Sequence, residues 1–254
     1  MRQAAGARPD QHPRHEPAHH PVISYSFPMT TVAGVDGCPK GWVAIVLDGG
    51  HFARAELAAT FADLLPHLSD AEVIAVDIPI GLPEGPDPRP ADVEARKLLG
   101  RRGSSVFATP PRPVLEAPTY AEASRISKAR FDRGLSQQSY ALRTKILEVD
   151  AVAAKDDRIY EVHPEISFTK MNGEPLDHSK KSWHGQPARL RLLANSGITI
   201  PTDLGPAGAT PTDDVLDAAA AAWSAHRIAT GTASRVGEQT PNLEPNRNAG
   251  FIWY

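Results

Sequence analysis

Residues 31–57 read TVAGVDGCPKGWVAIVLDGGHFARAEL, and the fold turns on how this stretch is punctuated. Thr31 to Asp36 is a short apolar run closed by a carboxylate. Gly37-Cys38-Pro39-Lys40-Gly41 carries turn chemistry, because glycine supplies positive φ and proline fixes its own. Trp42 to Leu47 is apolar at every position, as in a strand covered on both faces. Asp48-Gly49-Gly50 is a hairpin signal. His51 to Leu57 then reads as a third, more polar strand. Three strands joined by tight turns make an antiparallel meander.

The pattern extends outward from there. Thr60-Phe61-Ala62-Asp63 resembles a capping box and opens a short helix to about Leu68. Glu72 to Asp77 is a fourth apolar run. It arrives through that helix, and a helical crossover favours a parallel strand. Ile159 to His163 is a fifth strand, stopped by Pro164. Between them, Ile78-Pro79-Ile80-Gly81-Leu82-Pro83 is a rigid exit loop, residues 91–99 are helical, and Gly103 to Pro113 is a proline-rich loop. Ser136 caps a helix to about Ala154, with Leu142, Ile146, Val149 and Ala153 at helical spacing. Residues 187–195 are helical. Thr210-Pro211-Thr212-Asp213 starts a last, Ala-rich helix that runs to about Thr230 and can lie close to a sheet.

The chain has 254 residues, one cysteine and a formal net charge of −3. One cysteine excludes a disulfide framework and a multi-cysteine zinc site, and it fits a reducing, cytoplasmic setting. No apolar run approaches the roughly 18 residues needed to span a bilayer, so no membrane partner is expected. Residues 1–28 hold five prolines and four of the ten histidines, and read as a disordered tail ahead of a natural start at Met29. The domain is then 29–254, with an insertion at about 84–157. The small net charge conceals a partition. Residues 89–145 carry twelve Lys and Arg against five acids, a net of +7, which leaves −10 for the remainder.

Acidic residues fall where elements end. Asp36 closes strand one, Asp77 closes strand four, and Glu165 follows strand five. A carboxylate at the end of an apolar run is costly unless it is paired or binds a cation, and strand ends of α/β sheets are where sites form. On the last helix Asp214 and Asp217 are three apart and share a face, where like charges repel. A bound Mg²⁺ or Mn²⁺ with hard oxygen ligands reverses that cost. Asp213 is read as the capping-box residue. His163 is a candidate proton shuttle. Arg101, Arg102 and Ser105, in a Gly/Ser loop that can offer N–H groups to phosphate, are candidate substrate contacts together with Arg112. Phe107 and Tyr120 are candidate stacking surfaces, and Lys180 and Lys181 a second cationic pair.

Gly34-Val35-Asp36-Gly37-Cys38 with Gly41-Trp42-Val43, Asp77 to Pro83, Ser105-Val106-Phe107, His163-Pro164-Glu165 and Asp213 to Ala218 together resemble an uncharacterised bacterial family described as predicted nucleases of the RNase H-like fold. The ending Asp-x-x-Asp-Ala also resembles the Holliday-junction resolvase branch of that fold. The resemblance implies an α/β, RNase H-like five-stranded mixed sheet, three strands antiparallel and the rest parallel, with flanking helices and a large helical insertion after strand four. It implies Asp36, Asp77, Asp214 and Asp217 as metal ligands, with Glu165 as a weaker fifth. The expected chemistry is phosphodiester hydrolysis by two Mg²⁺ or Mn²⁺ ions about 4 Å apart, acting on nucleic acid. Two alternatives compete with it. One is a phosphotransferase of the actin and sugar-kinase type, disfavoured because the prolines after Asp77 remove N–H donors. The other is a non-catalytic module that binds nucleic acid or another ligand.

Overall fold

The computed structural model describes Met1, residues 30–238 and residues 248–254. The expected tail lies outside the described residues apart from Met1. β1 (Thr31–Cys38), β2 (Gly41–Asp48) and β3 (His51–Ala58) form the antiparallel meander. The first turn is only Pro39-Lys40, so the ladder continues beyond the apolar run. Asp36, Gly37 and Cys38 pair with Val43, Trp42 and Gly41. Asp36 therefore sits inside the strand and not at its end, because ladder hydrogen bonds are indifferent to side-chain polarity.

Thr60 caps α1 (Phe61–Leu64) by accepting the Asp63 N–H at 3.1 Å. The chain returns in β4 (Val73–Val76), parallel to β1. The insertion follows as α2 (Pro90–Leu99), α3 (Arg112–Leu115), α4 (Tyr120–Phe131), α5 (Gln137–Ala141) and α6 (Arg143–Ala153). β5 (Ile159–Glu161) lies parallel to β4, which gives a five-stranded sheet of order β3-β2-β1-β4-β5. Then come α7 (Pro164–Asn172), α8 (Gly185–Asn195), α9 (Thr212–Ala229) and a small antiparallel pair, β6 (Arg235–Gly237) and β7 (Phe251–Trp253). Phe251 and Ile252 are buried, so the apolar chain end packs on the core. Among the described residues no helix is long and apolar enough to cross a membrane.

Several boundaries differ from the sequence reading. The helix expected from Ser136 is two helices, and Ser136 caps only the five-residue α5. Pro164 both stops β5 and opens α7, as proline at a first helical position does. Nothing in the sequence period announced α4, whose buried stripe is Ala123, Ser127 and Phe131, with a polar residue in the middle. The last helix begins at Thr212, because Pro211 has an extended ψ of 139°. The Thr210–Asp213 capping box is thereby lost, and the Thr210 hydroxyl is buried without a partner.

Alternation along the strands builds two apolar layers. Val32, Val43, Ile45, Leu47, Val73 and Ala75 face α9. Ala33, Val35, Ala44, Val46, Ile74 and Val76 face α1 and α6. Gly34 is the closest approach. A Cβ there would lie 1.8 Å from the Ala222 amide nitrogen and 2.2 Å from the Ala218 carbonyl oxygen of α9. Small residues on both sides let the helix backbone touch the strand.

Gly34→Ala is therefore expected to destabilise the protein by about 3 kcal/mol or more, the upper end for overpacking a core, or to prevent folding. Urea unfolding measures this; a loss below about 1 kcal/mol contradicts the contact.

Candidate functional site

Gly34 and Asp36 are two apart on β1, so both point towards α9. β1 and β4 run parallel with Val35 opposite Val76, and the next position in that register sets Asp36 beside Asp77. The Asp77 N–H extends the ladder by donating to the Val35 carbonyl at 3.0 Å. On α9, Asp217 immediately precedes the Ala218 that meets Gly34. The contact that seats the helix thus carries Asp217 to the two strand aspartates. Asp36 and Asp217 are buried, 7% and 2% exposed, while Asp77, Asp213 and Asp214 are partly exposed.

This is a stressed arrangement. Neighbouring strands lie about 4.8 Å apart, where two ionised carboxylates at an effective dielectric of about 20 repel by roughly 3 kcal/mol. Burial, then Asp77 and Asp217, hold the Asp36 carboxyl well above its ordinary value. Burial also raises Asp77, against the pull of His163 and Lys180. Asp217 is raised to about 7 by burial, with Asp77 and Glu165 adding and Lys180 opposing. Asp214 is raised by its own burial and by Asp213. Asp213 and Asp214 gain in turn from the first-turn position on α9, where the helix dipole favours negative charge. Asp36 Oδ1 accepts the Gly37 N–H at 2.8 Å, which fixes its rotamer.

The cation nearest the cluster is Lys180. Its ammonium donates to Asp217 Oδ2 and stands 4.0 Å from Asp213 Oδ2. Burial would lower its pKa, but Asp217, then Asp36 and Asp77, outweigh burial and keep it charged. Lys181 lies 3.9 Å from Asp213. Lys145 approaches from the other side: it lowers Asp214, donates to the Gly41 carbonyl and lies over the Trp42 ring. Lys145 was legible only as one of twelve cations in a basic stretch.

The remaining sequence candidates fall in different places. Glu165 is in the first turn of α7 and is bound by Arg189, 2.5 Å away and fully buried. His163 precedes α7; its Nε2 lies 3.5 Å from the Ser105 carbonyl, and its Nδ1 is buried without a partner. A small cavity of about 30 Å³, room for a water-sized group, runs from Asp77 to His163 beneath Val106 and Phe107. Ser105 is exposed and does not line it. Arg101 and Arg102 do not reach the aspartates: they grip residues 175–177 through backbone carbonyls and Asp177. Arg112 is paired with Asp150 and Glu84 and joins the exit loop to α6. Tyr120 packs on Tyr140 and donates to the Leu135 carbonyl.

An all-oxygen donor set and one orphaned buried oxygen, Asp217 Oδ1, fit a hard divalent cation. Among the described residues, no group of three or more His, Cys, Asp or Glu side chains is spaced to hold a metal ion as the side chains stand. The cation drawn among them is the Lys180 ammonium.

A family model described as "Protein of unknown function (DUF429)" matches residues 34–241. The chain belongs to this family. The DUF429 match begins at Gly34 and takes in Asp36, Asp77, Lys180, Asp214 and Asp217. No curated protein and no solved structure matches the chain.

The unfolded chain releases aspartate protons near 3.8, whereas folded Asp217 keeps its proton to about 7. Folding takes up protons in that window, so this cluster's contribution to stability falls as pH rises from about 4 to about 7. Asp36→Asn removes one of the like charges. Without divalent metal it should melt above the wild type near pH 8 and level with it near pH 4. Equal melting temperatures at both pH values would contradict the burial of repelling charge.

Proposed function

We propose that this protein is a divalent-metal-dependent phosphodiesterase of the RNase H-like type, acting in the cytoplasm on nucleic acid. The observation that carries the reading is the meeting of Asp36, Asp77 and Asp217. They come from two neighbouring strands and the first turns of α9, with one buried Asp217 oxygen left without a partner. The five-stranded mixed sheet agrees with the one that the resemblance implies. Asp36, Asp77 and Asp217 would hold Mg²⁺ or Mn²⁺, with Asp214 at the more exposed edge. A bound ion would supply the charge that activates water and offsets the charge developing at phosphorus.

The chain's own groups set the surroundings. His163, which lines the cavity beside Asp77 and has a buried ring nitrogen without a partner, would move a proton. The basic insertion would meet a phosphate backbone through its outward cations, among them Lys97, Arg125 and Arg130. Arg89, Arg101, Arg102 and Arg112 are committed to internal partners. The loop after Asp77 is unsuited to cradling a nucleotide phosphate, which weakens the phosphotransferase alternative. Its Ile80 N–H already donates to Glu161 at 2.6 Å, and Pro79 and Pro83 have no N–H.

With Mn²⁺, the protein should cleave at least one member of a panel of single-stranded, duplex, hybrid and branched nucleic acids, and Asp36→Asn should reduce cleavage to background. Failure of the wild type across the panel, together with no Mn²⁺ binding by calorimetry, overturns the proposal. Turnover of ATP in its place favours the phosphotransferase.

A further inference from the structure

Residues 173–184, between α7 and α8, have no regular helix or strand, yet they are held on several sides. From the insertion, Arg101 donates to the Pro175 carbonyl at 2.7 Å and pairs with Asp177. Arg102 donates to the Leu176 and Asp177 carbonyls, both at 2.9 Å. From α8, the buried guanidinium of Arg189 reaches the carbonyls of His178 and Gly185 at 3.2 and 3.1 Å and is itself fixed by Glu165. Gly185 closes the turn so tightly that a Cβ there would lie 1.8 Å from the Ser179 carbonyl oxygen.

What this bracing delivers is Lys180. Its ammonium binds one oxygen of Asp217 and is attracted by Asp36 and Asp77. The other Asp217 oxygen, Oδ1, is buried and unpartnered. Asp217 thus gives one oxygen to a cation carried by the chain and keeps one for something else. A second divalent ion on the occupied oxygen would meet the ammonium at close range.

The geometry points to a site for one divalent cation, in which the Lys180 ammonium stands where a second metal ion would otherwise bind. This rests on the metal-dependent reading above, and differs from its sequence form in the number of ions. Arg101, Arg102, Arg189 and Glu165 are then positioning residues for Lys180, which gives the two arginines a role without any contact with substrate.

The test is calorimetric titration of Mn²⁺ into the full chain, without substrate, for the wild type, Lys180→Met and Lys180→Arg. The expected counts are one ion for the wild type, two for Lys180→Met and one for Lys180→Arg. Two ions bound by the wild type, or an unchanged count in a folded Lys180→Met, would overturn the inference and leave the metal-dependent reading standing. The wild-type count decides even if Lys180→Met fails to fold. No Mn²⁺ bound by the wild type would remove the metal-dependent reading itself, and this inference with it.

Discussion

The contact between Gly34 and α9 governs the architecture. A strand residue with no side chain and a helix with five consecutive alanines, Ala218 to Ala222, let two backbones touch in the middle of the sheet. Apolar burial there comes from close approach and not from large side chains, and the buried core on that face is completed by Val, Ile and Leu around the alanines. Because the strand alternates and the helix turns every 3.6 residues, fixing Gly34 against Ala218 also fixes where Asp36 and Asp217 point. Packing and chemistry share one constraint.

That constraint draws carboxylates together against their electrostatic preference. Asp36, Asp77 and Asp217 are all raised, chiefly by burial. A fold optimised for stability alone would place apolar residues here, as it does at Val32 and Val73 on the same face. Such a concentration of unfavourable charge beside a cavity marks a candidate functional site. The surrounding arginines are paired with other acids. Arg89, with Asp92 and Glu161, and Arg189, with Glu165, are buried ion pairs behind the site, and Arg112 ties three segments of chain together.

The meander, the crossover into β4 and the Ala-rich helix were legible because each rests on local chemistry: turn residues, an N-cap and a period. Asp36 and Asp77 were legible as candidates because polar residues interrupt apolar runs, although the ladder continues past Asp36. α4 was not, because Ser127 interrupts its buried stripe. The Thr210 capping box failed because the backbone of Pro211 stays extended and moves the helix start by one residue. Arg101, Arg102 and Arg112 were legible as positive charge but not as braces, since their partners lie 28 to 75 residues away in the chain.

The sequence by itself determined the antiparallel meander, the crossover into β4 and the Ala-rich last helix, because these follow from neighbours along the chain, and it singled out the candidate acids. Only the tertiary structure decided which acids meet and which cation joins them. Lys180 comes from an irregular segment with no period to read, and reaches Asp217 across 37 residues. Its position depends on arginines from two other parts of the chain, the partly exposed Arg102 and the buried Arg189. Contacts between distant segments leave no local signature, and here they set the charge of the site.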